Sequence, residues 1–124
     1  MANGQIEWQL DITHASPGKF KKFAGKYRRE YASLFANLEK IMGLLRAGQK
    51  LGSFQVGFFR PEGQGVYRIG QTGVPSAKES RLYVFPEEQG HVMYVLNIGT
   101  KEGQGDDINE AHRIATGLKP NTGQ

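Results

Sequence analysis

The 124 residues include 38% hydrophobic and 10% aromatic side chains, enough for one modest core and too few to build two. No cysteine is present, which excludes disulfides, thiolate chemistry, zinc fingers and iron–sulfur clusters. The net charge of +4 is unevenly spread: residues 1–62 carry ten basic and five acidic side chains, residues 63–124 six and seven, so RNA, DNA or an acidic protein segment is the partner class to expect. Met1 to Leu10 lacks a basic region followed by an apolar run, and no apolar stretch approaches membrane length, so neither a signal peptide nor a span is expected. One domain is expected, with a core at 5–116 and a mobile tail at 117–124.

Ile6, Trp8, Leu10 and Ile12 alternate with polar residues, the period of a half-buried strand. Ser16-Pro17 then has the form of a helix start, a capping hydroxyl followed by proline at the first helical position. From Phe20 to Leu45 apolar residues recur at spacings of three and four, and Ala47-Gly48 ends the pattern. The segment is one long helix or two, with Gly25 and Ala36-Asn37 as weak break points. Lys19, Lys22, Lys26 and Arg29 form a basic stripe beside the apolar face, suited to a phosphate backbone and equally to a solvated helix flank.

Strands are expected at Phe54–Phe59, Val66–Ile69, Arg81–Phe85 and His91–Ile98. Pro61–Gly65, Gly70–Glu79 and Pro86–Gly90 separate them as turns and loop, and the last two strands form an antiparallel hairpin. A final helix, capped by Asp106 or Asp107, runs to about Thr116, with Gly117 as its stop. The order predicts an α+β fold, with helices covering one face of a small antiparallel-rich sheet and the other face open.

Common catalytic signatures are missing: no phosphate loop ending in Lys-Ser/Thr, no HExxH and no nucleophile elbow. His14, His91 and His112 are far apart in sequence, and no metal or cofactor is expected. Arg81 and Tyr83 share a parity and so a sheet face. In the partner strand, Val92, Tyr94, Leu96 and Ile98 make the better core set, which turns His91 and Asn97 toward solvent or a groove. With Arg60 and Arg68 at strand ends and Lys101 after the last strand, several cations can converge on one surface. Such a surface suits RNA cleavage: arginines and lysines stabilise the phosphorane formed when a 2′-hydroxyl attacks phosphorus, and Tyr83 or His91 are candidates for proton transfer.

The tract from Arg81-Leu-Tyr-Val-Phe, through a turn, to His91-Val-Met-Tyr-Val-Leu-Asn-Ile-Gly-Thr-Lys101 and on to Asp107–Arg113 resembles the RelE/ParE/HigB superfamily of bacterial type II toxins, and the element order extends the resemblance over roughly residues 5–116. The resemblance implies a small sheet packed against an N-terminal helical pair and a C-terminal helix. It places Arg81 at the phosphate-binding arginine and Lys101 at the lysine after the central strand, with Arg60 a looser match and Arg68 an alternative to Arg81. It further implies a cytoplasmic toxin held by a cognate antitoxin. The expected activity is metal-independent cleavage of messenger RNA in the ribosomal A site, with gyrase inhibition or non-enzymatic RNA or protein binding as alternatives. Against the superfamily pattern, Thr100 stands beside Lys101 where many relatives have a second lysine, and Gly70–Ser80 resembles an insertion.

Overall fold

The computed structural model describes residues 5–119. Its elements are β1 (Gln9–Asp11), α1 (Pro17–Lys26), α2 (Arg28–Arg46), a 3₁₀ turn at Leu51–Ser53, β2 (Phe59–Pro61), β3 (Tyr67–Gly70), β4 (Ser80–Glu87), β5 (Val92–Thr100), a second 3₁₀ turn at Lys101–Gly103, and α3 (Gln104–Leu118). The five strands form one sheet in the order β1-β5-β4-β3-β2; β1 runs parallel to β5 and every other pairing is antiparallel. This is an α+β fold.

The helix start is as the sequence indicates: the Ser16 side chain accepts from the Lys19 amide and Pro17 opens α1. The long helical pattern divides into two helices at Tyr27, whose φ of −126° and ψ of 62° serve as the end of α1 and the start of α2. Neither Gly25 nor Ala36-Asn37 is the break. The periodicity hides this break because Phe23, Tyr27 and Tyr31 keep the helical spacing of four straight through it, the Tyr27 ring lying 4.9 Å from that of Phe23. Residues 54–58 form no regular strand although Phe54, Val56 and Phe58 alternate with exposed Gln55 and Gly57 and pack on the core; β2 begins only at Phe59, where the pairing with β3 starts.

The expectation of one open sheet face is corrected in part. Phe59, Ile69, Leu82, Val84, Met93, Val95 and Ile98 pack with α1 and α2 on one side. Val66, Tyr83, Phe85 and Leu96 pack with Ala111 and Ala115 of α3 on the other. The sheet is therefore sandwiched, and the space left on the α3 side lies over β2 and β3.

The parity expected for β5 is also corrected. Tyr83 pairs with Asn97 while Val84 pairs with Val95, so a bulge inserts Leu96 and reverses the alternation. Met93 and Val95 are core residues as a result, and Leu96 and Ile98 face opposite layers. Gly117 does not end α3; the helix runs to Leu118, whose side chain joins the α3 cluster. The helix also starts earlier than expected, at Gln104 with Gly103 before it, so Asp106 and Asp107 occupy its first turn rather than its cap. The remainder of the expected tail, 120–124, lies outside the described residues.

Candidate functional site

Strand pairing brings three arginines together. Arg60 of β2 stands opposite Arg68 of β3, and Arg68 stands opposite Tyr83 of β4, so all three side chains leave the same face. In the next row Gly70 pairs with Arg81, and Arg81 pairs with Gly99. Tyr83 belongs to the α3 cluster, so this is the α3 face; Arg60 and Arg68 lie where the helix no longer covers it. Arg60, Arg68 and Arg81 line one cleft of about 470 Å³, together with Gly57, Phe58, Gly70, Gln71, Thr72, Glu79 and Ser80. Gly70 adds no side chain beside Arg81, which leaves the cleft open there.

Arg81 is almost fully buried, only 7% exposed, and is held from two sides. One guanidinium nitrogen donates to the Gln104 side chain at the start of α3, and the other lies 2.8 Å from Glu79 Oε2. Glu79 Oε1 lies 3.8 Å from Lys101 Nζ, an exposed ammonium that lines a neighbouring hollow with Glu79 rather than the arginine cleft itself. The hydrogen bond from Arg81 holds the Glu79 carboxyl below its usual range, with the Lys101 and Arg68 charges acting in the same direction. Arg68 lies 3.2 Å from Glu62, and the Arg60 Nε donates to the Gly57 carbonyl at 3.2 Å.

The wall of the cleft is pinned to α2. Buried Glu30 accepts from the Lys78 amide at 2.9 Å, Asn37 donates to the Gly70 carbonyl at 2.8 Å, and Ser33 exchanges hydrogen bonds with Thr72. Gln71 bridges the same segment, accepting from the Ser80 amide and donating to the Lys78 carbonyl. The stretch 70–80, read from sequence as an insertion, is thus an anchored wall that delivers Glu79 to Arg81.

The other sequence candidates lie elsewhere. Tyr83 shares the Arg81 face as expected, but its side chain is sealed beneath α3 and its hydroxyl has no partner among the described residues. Burial, reinforced by the Asp107 carboxylate, pushes its pKa up to about 12. His91 packs on Trp8 with ring centroids 5.1 Å apart, at the far end of β5 and roughly 25 Å along the strand from Gly99. Lys19 is engaged structurally, 2.8 Å from Asp107. Lys22, Lys26 and Arg29 are exposed on the helical pair, and none of them lines the arginine cleft. No group of three or more potential metal ligands occurs among the described residues. None of the helices described is long and apolar enough to cross a membrane.

Sequence reasoning missed Glu79, Gln104, Gln71 and Glu30. Glu79 had a usable signal, since it lies two residues before Arg81 and so shares its face in an extended chain. The others act across the fold and carry none.

No protein-family model matches the sequence, and no curated protein is similar to it at a significant level. Among solved structures, the chain is similar to a double arginine-to-alanine mutant of the E. coli toxin RelE in the free state. The match has 16% identity over 88% of this chain and 98% of that one, with a TM-score of 0.48.

Proposed function

We propose that the arginine cleft binds the RNA backbone and that the protein is a cytoplasmic toxin of a type II toxin–antitoxin system. In this reading it cleaves messenger RNA in the ribosomal A site without a metal and so inhibits translation. The observation that carries the proposal is the convergence of Arg60, Arg68 and Arg81 from three adjacent strands on one cleft. The sequence resemblance of the tract around Arg81 to the RelE/ParE/HigB superfamily supplies the choice of RNA.

The reaction joins the 2′-oxygen to phosphorus and breaks the bond from phosphorus to the 5′-oxygen, leaving a 2′,3′-cyclic phosphate and a 5′-hydroxyl. Negative charge gathers on the equatorial oxygens of the phosphorane. Arg81 and Arg68 meet it with planar, permanently charged forks, Arg81 being held nearly immobile by Gln104. Lys101, beyond Glu79, gives a proton to the departing 5′-oxygen. Glu79, the carboxylate among the lining residues described, takes the proton of the 2′-hydroxyl. Tyr83 and His91 have no part in these steps, one being sealed in the core and the other remote. A cognate antitoxin neutralises the protein by covering these cations with an acidic segment.

Mapping of RNA ends in a reconstituted translation reaction tests the proposal. The wild-type protein should produce new 5′-hydroxyl ends, and Arg81→Ala should reduce them by about 100-fold or more, the loss expected for one donor to a developing oxyanion. Intact transcripts with folded wild-type protein would reject RNA cleavage; altered supercoiling in a gyrase assay would then assign the fold a topoisomerase-directed role.

A further inference from the structure

We propose that Glu79 is a built-in occupant of the phosphate site: its carboxylate holds the position that an RNA phosphate takes against Arg81 and Lys101, and RNA binds by displacing it. The inference rests on the phosphate-binding reading of the cleft and adds how the site is guarded.

Three features support it. The carboxylate of Glu79 lies between two cations from different elements, 2.8 Å from the Arg81 guanidinium and 3.8 Å from Lys101 Nζ. Two carboxylate oxygens facing two cations, one through a hydrogen bond and one through an ionic contact, match the charge pattern of two phosphate oxygens. The Arg81 side chain is only 8% exposed, and the Glu79 carboxylate that meets it lines the same cleft. The Glu79 side chain itself is 56% exposed, which gives it somewhere to go when displaced. Its backbone, by contrast, is tethered: the Glu79 carbonyl accepts from the Lys101 amide at 2.9 Å, and Lys78 is fixed to Glu30. Displacement is therefore a side-chain rotation and leaves the strand in place.

An occupant of this kind has two consequences. Weak single anions fail to compete, because they must replace a carboxylate that is already local. A polyanion succeeds, because neighbouring phosphates on Arg68 and Arg60 hold it while Glu79 rotates away. The carboxylate released from Arg81 is then a better proton acceptor beside the scissile phosphate, so site opening and activation of the base are one event.

The test measures binding of a short RNA with 2′-O-methyl riboses, which cannot be cleaved, by fluorescence anisotropy at several salt concentrations. Glu79→Gln should bind about three- to tenfold tighter than wild type, in line with loss of one charge-assisted contact. Its salt slope should match that of the wild type, because the same phosphates are neutralised once the carboxylate has moved aside. The gain should vanish in an Arg81→Ala background. Glu110→Gln, which removes the same charge from the outer side of α3, should change binding less than twofold. If Glu79→Gln binds like wild type while Arg81→Ala and Arg68→Ala bind more weakly, the phosphate site stands and the occupant is refuted. Equal tightening by Glu110→Gln also refutes it, as an effect of overall charge. If none of the arginine variants changes binding, the phosphate-site reading itself falls.

Discussion

Gly99 offers a direct test of how the cleft is held in shape. A Cβ placed there would sit 1.9 Å from Asp107 Oδ2 and 2.9 Å from its Cγ. Asp107 is nearly buried, and its carboxylate is 2.8 Å from Lys19 Nζ, so the pair ties α1 to α3 across the end of β5. To reach ordinary contact the carboxylate must move by about 1.5 Å, which breaks the pair. Overpacking of this kind costs about 1–3 kcal/mol, and a pair whose lysine is half-exposed adds up to about 1 kcal/mol. Replacing a strand glycine returns about 0.5–1 kcal/mol of backbone entropy. The net expectation for Gly99→Ala is a loss of about 2 kcal/mol, read as a lowered urea midpoint at unchanged m-value. Asp107→Ala should cost about 1 kcal/mol alone through its ion pair and its place at a helix N-terminus. It also removes the obstacle, so Gly99→Ala in that background should stabilise by about 0.5–1 kcal/mol, a coupling of about 3 kcal/mol. Strict additivity of the two substitutions would refute the close approach as the reason for glycine at 99.

Three further predictions concern the groups around the cleft. Tyr83→Phe should stabilise the fold by about 1 kcal/mol, because it removes a buried hydroxyl without a partner; a loss of stability in thermal unfolding would show that the hydroxyl is satisfied. Because the folded pKa of Tyr83 is raised to about 12 from 10.0, its contribution is fully present below pH 10 and is lost as pH rises toward 12, and Tyr83→Phe should flatten that alkaline limb in a titration of the urea midpoint. Glu30→Ala should cost about 1–2 kcal/mol and increase cleavage by a non-specific protease between Gly73 and Ala77, since Glu30 holds the Lys78 amide; unchanged digestion would mean the wall stands without it. Asp11 and Glu79 have depressed pKa values, Asp11 chiefly through the Thr13 hydroxyl and Glu79 through Arg81. Their contributions are present above the usual values of 3.8 and 4.5 and are lost as pH falls through the lowered ones, so the urea midpoint should decline in that acid range, and Glu79→Gln should lessen the decline.

How much of this was legible beforehand differs by level. The Ser16-Pro17 helix start, the β4–β5 hairpin and the shared face of Arg81 and Tyr83 follow from local rules about caps, turns and strand parity, and the structure bears them out. The cation cluster was legible in outline, since Arg60, Arg68 and Arg81 lie on strands that pair in sequence order. What local rules miss is set by contacts distant in sequence. The Leu96 bulge reverses β5 parity because Leu96 joins the α3 cluster while Ile98 faces the helical pair. The burial of Tyr83 depends on where α3 returns across the sheet, while the break at Tyr27 is masked because Phe23, Tyr27 and Tyr31 keep the helical spacing through it. Lys19 read as a nucleic-acid contact because its partner Asp107 is 88 residues away.

If RNA is cut in the three-arginine cleft, single-turnover cleavage of A-site messenger RNA by ribosome-bound protein will depend on the arginines that line it. Rates should be compared for the wild type, Arg68→Ala and Arg81→Ala, each first shown to be folded. The expected results are cleavage leaving a 2′,3′-cyclic phosphate, a loss of about 100-fold or more in both variants, and no cleavage when the nucleotide 5′ to the cut carries a 2′-deoxyribose. Wild-type rates in both arginine variants, or undiminished cleavage of the deoxy-substituted message, would contradict this reading.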